Sequence, residues 1–550
     1  MRTALVAALL LLAPAAEAGG LFTPDTGMVG LSRGGANVAN AEDIVGALYY
    51  NPAGLTQLQG FHIEGGLVGM QTLRWFDRSG GDGGEDVGQY NVGPDGVRIE
   101  GSLDDPFART NSSDHFRPIP EVGLAFGFKK PNITIALGLY APMAPTQRFD
   151  RYGPGRYRLV EQTLVQGNIN LSVAWRPVPW FSAGVGFQLL IMSLDESFVA
   201  SGDIIAARVA SVSGEDRPNA EDPQWDVLAS FSAQQVRPYI NVGLMFEPVD
   251  WLRIGATWSP PYDMQAEGTA ELNGTLGADF FAGSTIASLF GGDPVHVRGR
   301  DESIVISTDL PMQLKLGVRI EPLKGIFDFE VDAHMEFWNP ESDVVATNVD
   351  MPLMYDDPDR EGEEQPLDEY LDSRGSDSFT ICDYISADNG CAGLDVYRGE
   401  EEGGSVAVPG AFEPTWSLRV GGEVNPVPWL GLRLGAAYEA PSIPLSTQSL
   451  TMLDGDKILG SFGVEFRAGA WDGPSVFDLR FTYARVTYME REATADVSRA
   501  RTLALRGVPV NAVDVGRYGG ESHFVGLTLS AHLSEMARRD RSRKEAVKGR

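Results

Sequence analysis

The sequence predicts an all-β protein: a closed antiparallel transmembrane β-barrel of about fourteen strands, with a small N-terminal hatch, or plug, inside its lumen. Three observations predict it. Apolar and polar residues alternate with period two in about fourteen long segments. The connections between segments are by turns very short and very long. Trp and Tyr gather near the segment ends. Successive side chains of a strand point to opposite faces, so each segment offers one apolar face and one polar or small face.

Residues 1–18 read as a secretory signal. Arg2 precedes an apolar stretch from Ala4 to Ala16, and Ala16-Glu17-Ala18 is a small-x-small cleavage site. No later window approaches the ~18 uninterrupted apolar residues that a spanning helix requires. Residues 19–57 are glycine-rich and polar and lack the alternation, so they are assigned to the plug. A barrel of this width is not filled by its own side chains, which leaves room for it.

The alternating segments are 59–76, 119–128, 132–141, 164–176, 180–194, 236–247, 251–262, 310–321, 325–338, 414–425, 429–440, 456–467, 475–490 and 521–533, within a barrel of residues 58–533. Phe327, Phe329, Val331, Ala333, Met335 and Phe337, for example, oppose Asp328, Glu330, Asp332, His334 and Glu336. Most segments are long enough to cross a bilayer when tilted, which takes ~9–11 residues. Trp75, Tyr140, Trp175, Trp180, Trp251, Trp258, Trp338, Trp416, Trp429 and Tyr438 fit aromatic girdles. In lipid every backbone group must pair internally, so such a sheet closes on itself.

Pro177-Val178-Pro179-Trp180, Pro248-Val249-Asp250-Trp251 and Pro426-Val427-Pro428-Trp429 are near-copies of one short turn. Residues 77–118, 195–235, 263–309 and 339–414 are expected as long acidic extracellular loops. Short turns on one side and long loops on the other are what a bacterial outer-membrane barrel shows. The run from Asp356 to Glu364 reads as a solvated acidic surface rather than a divalent-cation site, because its carboxylates have no fixed spacing. Cys382 and Cys391 read as a local disulfide, with no histidine nearby to make a metal site. Residues 534–550 carry seven Lys/Arg against three acids and read as a disordered, basic periplasmic tail.

A formal charge of −31 argues against nucleic acid, whose phosphates require clustered Lys and Arg. No Gly-x-Ser-x-Gly elbow, His-Glu-x-x-His pair or phosphate loop occurs, so no catalytic residues, metal or cofactor are assigned and an enzyme is not expected.

Several stretches resemble the FadL/TodX family of outer-membrane transporters for long-chain fatty acids and other hydrophobic compounds. They are Ser32-Arg33-Gly34-Gly35-Ala36, Ala41-Glu42-Asp43, Tyr50-Asn51-Pro52-Ala53-Gly54-Leu55, Leu137-Gly138-Leu139-Tyr140-Ala141-Pro142, Gly167-Asn168-Ile169-Asn170 and Arg253-Ile254-Gly255-Ala256-Thr257-Trp258-Ser259-Pro260. The resemblance implies a fourteen-stranded barrel in the outer membrane of a Gram-negative bacterium, blocked by an N-terminal hatch. It implies passive inward movement of hydrophobic small molecules, with lateral escape through a gap in the wall. Arg33, Gly34, Gly35, Asn51, Pro52 and Ala53 would belong to the hatch and gate, in a structural role before a ligand-binding one.

A fatty-acid cargo would need an apolar cavity and an anchor for its carboxylate. Lumen-facing Arg253, Lys315, Arg319, Arg419, Arg433 and Arg480 are the candidates. Against each stands an ordinary structural role, pairing with interior acids such as Asp328, Glu330, Asp332, Glu336, Glu423 and Asp478. The expected partners are hydrophobic molecules such as long-chain fatty acids, outer-membrane lipid and lipopolysaccharide, and the barrel-assembly machinery. A structural or adhesive barrel acting through its acidic loops is the alternative.

Overall fold

The computed structural model describes residues 26–78, 109–113, 116–201, 226–276, 295–340, 344–349, 353–356, 364–366, 395–397, 404–408, 412–471, 473–494 and 514–539. The expected signal, the Cys382–Cys391 pair and most of the 339–414 loop lie outside these residues.

The wall is a closed antiparallel barrel of fourteen strands. They are β1 (Gly60–Arg78), β2 (Arg117–Phe128), β3 (Ile133–Met143), β4 (Glu161–Val178), β5 (Phe181–Ser201), β6 (Asp226–Val249) and β7 (Leu252–Ser259 with Tyr262–Leu276). β8 (Val295–Leu310 with Met312–Leu323), β9 (Phe327–Phe337), β10 (Thr415–Val427), β11 (Leu430–Glu439), β12 (Lys457–Ala468), β13 (Phe477–Ala493) and β14 (Gly516–His532) complete it. β7 breaks at Pro260-Pro261 and β8 at Pro311, where the ladder loses backbone donors. Each strand pairs with the next, and β14 returns to β1 from His62↔His532 to Arg78↔Gly516, which closes the sheet.

The wall is apolar on its outside. Phe126, Leu137, Leu171, Phe187, Leu244, Leu434, Phe462 and Leu529 are all exposed large apolar residues on outward positions. Facing lipid, this band satisfies the hydrophobic effect that a core would satisfy in water. Trp175, Trp180, Trp251, Trp258 and Trp429 lie exposed in it as expected. Tyr140 and Trp338 do not, and must be removed from the girdle. Both are buried: the Tyr140 hydroxyl bonds with Asn170 and Gln188, and Trp338 stacks on Phe412. Both fall on inward positions, which aromatic content alone does not reveal.

The strands also run further than the alternation suggested. Residues 195–201 and 226–235 are paired strand rather than loop, as are 263–276 and 295–309. Above the bilayer the two faces exchange character. Gln265 and Glu267 point outward to water, while Ala233, Ala266, Ile304 and Ile306 form an inner apolar cluster. Residues 533–539 form a helix rather than the start of a disordered tail. Ser534 Oγ accepts from Phe61 N at 2.8 Å, and Arg539 donates to the carbonyls of Gly469 and Pro474 at 2.7 Å each.

Candidate functional site: the blocked lumen and its inner pocket

Residues 26–58 lie inside the barrel and are almost wholly buried. They form helix α1 (Met28–Ser32), helix α2 (Ile44–Tyr50) and a 3-10 turn (Pro52–Gln57). Asp43 caps α2 by accepting from Gly46 N at 3.1 Å, and Asn51 caps the 3-10 turn by accepting from Ala53 N at 3.1 Å. Gly34 and Gly35, at φ +68° and +79°, turn the chain where a side chain would be strained.

This segment is held mainly through its own backbone N–H groups, by inward carboxylates of the wall. Asp332 Oδ2 accepts from Asn37 N at 2.8 Å and Val38 N at 2.9 Å. Glu330 Oε1 accepts from Ala39 N at 2.5 Å and Asn40 N at 3.2 Å. Glu64 accepts from Ile44 N and Val45 N at the start of α2, and Glu121 from Gly27 N and Thr26 Oγ1. The sequence reading placed the acids of β9 opposite interior Arg and Lys. Their grip on the segment's backbone was not foreseen.

Close approach is made possible by inward glycines of the wall. A Cβ on Gly435 would stand 1.9 Å from the Arg33 carbonyl carbon, one on Gly184 2.5 Å from that of Pro52, and one on Gly255 2.3 Å from the Val38 carbonyl oxygen. Alternation of a large apolar residue with glycine is the sequence signal that could have marked this seat.

Arg33 is fully buried and ion-pairs with Asp328 at 2.7 Å and Glu330 at 3.4 Å. Gly34 N donates to Ser461 Oγ at 2.9 Å. Asn51 Nδ2 donates to the Val38 carbonyl at 2.8 Å and the Leu244 carbonyl at 3.0 Å, with Pro52 and Ala53 packed beside it against β5 and β6. The six cationic candidates do not converge. Arg319 pairs with Asp328 and Glu42, and Arg419 with Glu439. Arg433 pairs with Glu423 and Glu465, and Arg480 with Glu465, Glu64 and Asp478. Arg253 reaches Glu42 and Glu247 at 3.7 Å each.

Lys315 alone of the six lines a small pocket on the outer side of the segment. Its Nζ stands 3.7 Å from the Tyr49 ring centroid. The pocket also takes in Pro142, Leu190, Tyr262 and Leu310 with the amides of Gln166, Asn168, Gln188 and Asn241, and holds about 40 Å³. Beyond it toward the loops lies a packed apolar, methionine-bearing cluster of Met192, Met264, Met452, Ile443, Trp338 and Phe412, which Leu310 and Tyr262 join to the pocket. β2 and β3 are joined only from Val122↔Leu139 to Phe128↔Ile133. Past that point Pro118 and Pro120 on β2, and Pro142 on β3, carry no N–H to continue the ladder. Pro142 thus borders both the pocket and the end of the β2–β3 ladder.

A lipid-facing closed barrel, a buried N-terminal segment held by inward wall residues, and an apolar cluster beside a polar-lined pocket fit an outer-membrane transport protein for hydrophobic compounds. The profile of the outer membrane protein transport protein family (OMPP1/FadL/TodX) matches residues 9–507, and the chain belongs to that family, whose members are transporters of the Gram-negative outer membrane. Among solved structures, a Pseudomonas aeruginosa FadL homologue is similar at 16% identity and TM-score 0.61, over 94% of this chain and 100% of that one. The Ralstonia pickettii toluene transporter TbuX is similar at 12% identity and TM-score 0.54, over 92% and 98%. The Pseudomonas putida toluene transporter TodX gives 14% and 0.54 over the same shares. No curated protein sequence matches the chain.

Proposed function

We propose that the barrel passes long-chain fatty acids inward by passive diffusion, with residues 26–58 as the hatch. The observation that carries this reading is the pocket itself. A packed but deformable apolar cluster adjoins one ammonium group, Lys315, and several amides, which suits a long chain ending in a carboxylate. At about 40 Å³ the pocket cannot hold such a molecule as it stands. Drug-sized ligands occupy ~300–1,000 Å³. Loading therefore requires α2 and Tyr49 to withdraw, which makes the segment a gate. The early end of the β2–β3 ladder, at Val122↔Leu139, supports lateral escape into the membrane.

The test is uptake of labelled oleate by cells with the protein, without it, and with a variant lacking residues 19–55. Uptake should require the barrel and lose its selectivity without the hatch. Equal uptake with and without the whole protein would refute transport of this cargo.

A further inference from the structure

Where the barrel closes, β1 and β14 set His62 and His532 directly opposite each other. His62 shares the inward face with buried Glu64, two residues on, at the end of the barrel that carries the short turns. The two Nδ1 atoms are 2.7 Å apart, and the ring planes meet at 80° with centroids 4.9 Å apart. His532 Nε2 lies 2.6 Å from Asp478 Oδ2, and His62 Nε2 lies 2.9 Å from the Gln59 carbonyl oxygen.

A carboxylate and a carbonyl only accept, so each Nε2 carries its hydrogen. A neutral imidazole then has a bare lone pair at Nδ1. Two lone pairs at this separation repel unless a positive species sits between them.

We infer that His62 and His532 bind a divalent transition-metal ion through their Nδ1 atoms, at the seam between the first and last strands. The arrangement behind the two rings favours an ion. Metal-ligating histidines characteristically donate their other N–H to a carboxylate or a backbone carbonyl, which orients the ring and raises its basicity. Asp478 and Gln59 occupy those two places.

Imidazole donors suit zinc, copper or nickel rather than calcium or magnesium. Metal–nitrogen distances of ~2.0–2.1 Å at a tetrahedral angle place the nitrogens ~3.3 Å apart, so the rings need turn away from each other by only ~0.6 Å. No group of three or more His, Cys, Asp and Glu donors converges among the described residues, so water completes the coordination. The His532 side chain is 18% exposed, which leaves the ion a path from the periplasm. The ion ties the two ends of the sheet together beside Gln59, where the inner segment joins the wall.

The test uses the untagged full chain folded in detergent, stripped with EDTA, dialysed and titrated with zinc at pH 7.5 by calorimetry. Bound metal per chain is measured in parallel, and folding is checked by heat-dependent gel mobility. One equivalent of zinc should bind and be lost in both His62→Gln and His532→Gln. Asp478→Asn keeps both imidazoles and should weaken binding ~10–100-fold. Should either histidine variant fail to fold, Asp478→Asn and the cobalt absorption spectrum of the unmutated protein decide the question. Absence of saturable binding, or binding unchanged in the histidine variants, overturns the site. So do imidazole resonances that respond to pH but not to zinc, which would identify a shared proton as the positive species.

Discussion

Arg33 Nη2 lies 2.7 Å from Asp328 Oδ1, joining the buried inner segment to β9 across 295 positions of sequence. The arginine also donates to Glu330 and, through Nε, to the Ala36 carbonyl at 3.1 Å. One side chain therefore braces the turn at Gly34-Gly35 and neutralises two wall carboxylates at once. Removing one partner of a buried pair costs ~3–5 kcal/mol. Arg33→Met should fall at the low end of that range, because Arg319 still reaches Asp328 at 3.1 Å. Thermal unfolding in detergent measures the loss, and liposome swelling should show a leakier barrel.

Gly435→Ala tests the fit of the segment without changing any charge. Its methyl group would stand 1.9 Å from the Arg33 carbonyl carbon, which is backbone and cannot rotate away. The wall should still assemble while residues 30–36 are displaced. Limited proteolysis should then cut the segment in the variant and leave the unmutated protein intact.

Asn51→Ala removes the cap of the 3-10 turn and two donated bonds, to Val38 and Leu244. A lost cap costs ~1 kcal/mol and a typical hydrogen bond about as much again. A total loss of ~2–3 kcal/mol is expected, measured as a lower denaturant midpoint at unchanged slope.

Burial first, and then the neighbouring Glu64 carboxylate, push the Asp43 carboxyl up from 3.8 to about 6, with Arg480 opposing. A carboxyl whose value is raised on folding binds its proton more tightly in the folded state. Its contribution is thus fully present below about 3.8 and is lost as pH rises to about 6. Seating of α2 should weaken across that window, read by hydrogen exchange at Ala47 and Leu48. Asp43→Asn keeps a capping oxygen and should flatten the dependence.

Lys315→Met separates cargo classes. A charge-assisted hydrogen bond contributes ~1.5–3 kcal/mol, so the half-saturating oleate concentration should rise at least ~10-fold. Uptake of toluene or a fatty-acid methyl ester should not change. A parallel loss for all three cargoes would mean that Lys315 shapes the pocket and anchors no carboxylate.

What the sequence determined by itself was the wall. Strand number, the outward apolar face and the sidedness of the turns all follow from period two and turn chemistry, which act within a dozen residues of each other. The same logic explains its errors. Met264 and Ala266 alternate with Gln265 and Glu267 as regularly as any bilayer strand. Above the membrane, however, water takes the place of lipid outside, so the apolar members turn inward and the stretch resembled a loop.

The interior was decided only by tertiary structure. Asp332, Glu330, Glu64 and Glu121 hold N–H groups up to 295 positions away, apart from Glu64, about twenty positions from its partners. Nothing local distinguishes such carboxylates from those that neutralise Arg433 or Arg480. Nor does spacing show that Lys315 faces Tyr49 or which acids the five arginines reach, because closure of the barrel sets those neighbours. His62 and His532 show it most plainly: 470 positions separate them, and only the meeting of the first and last strands brings their rings together.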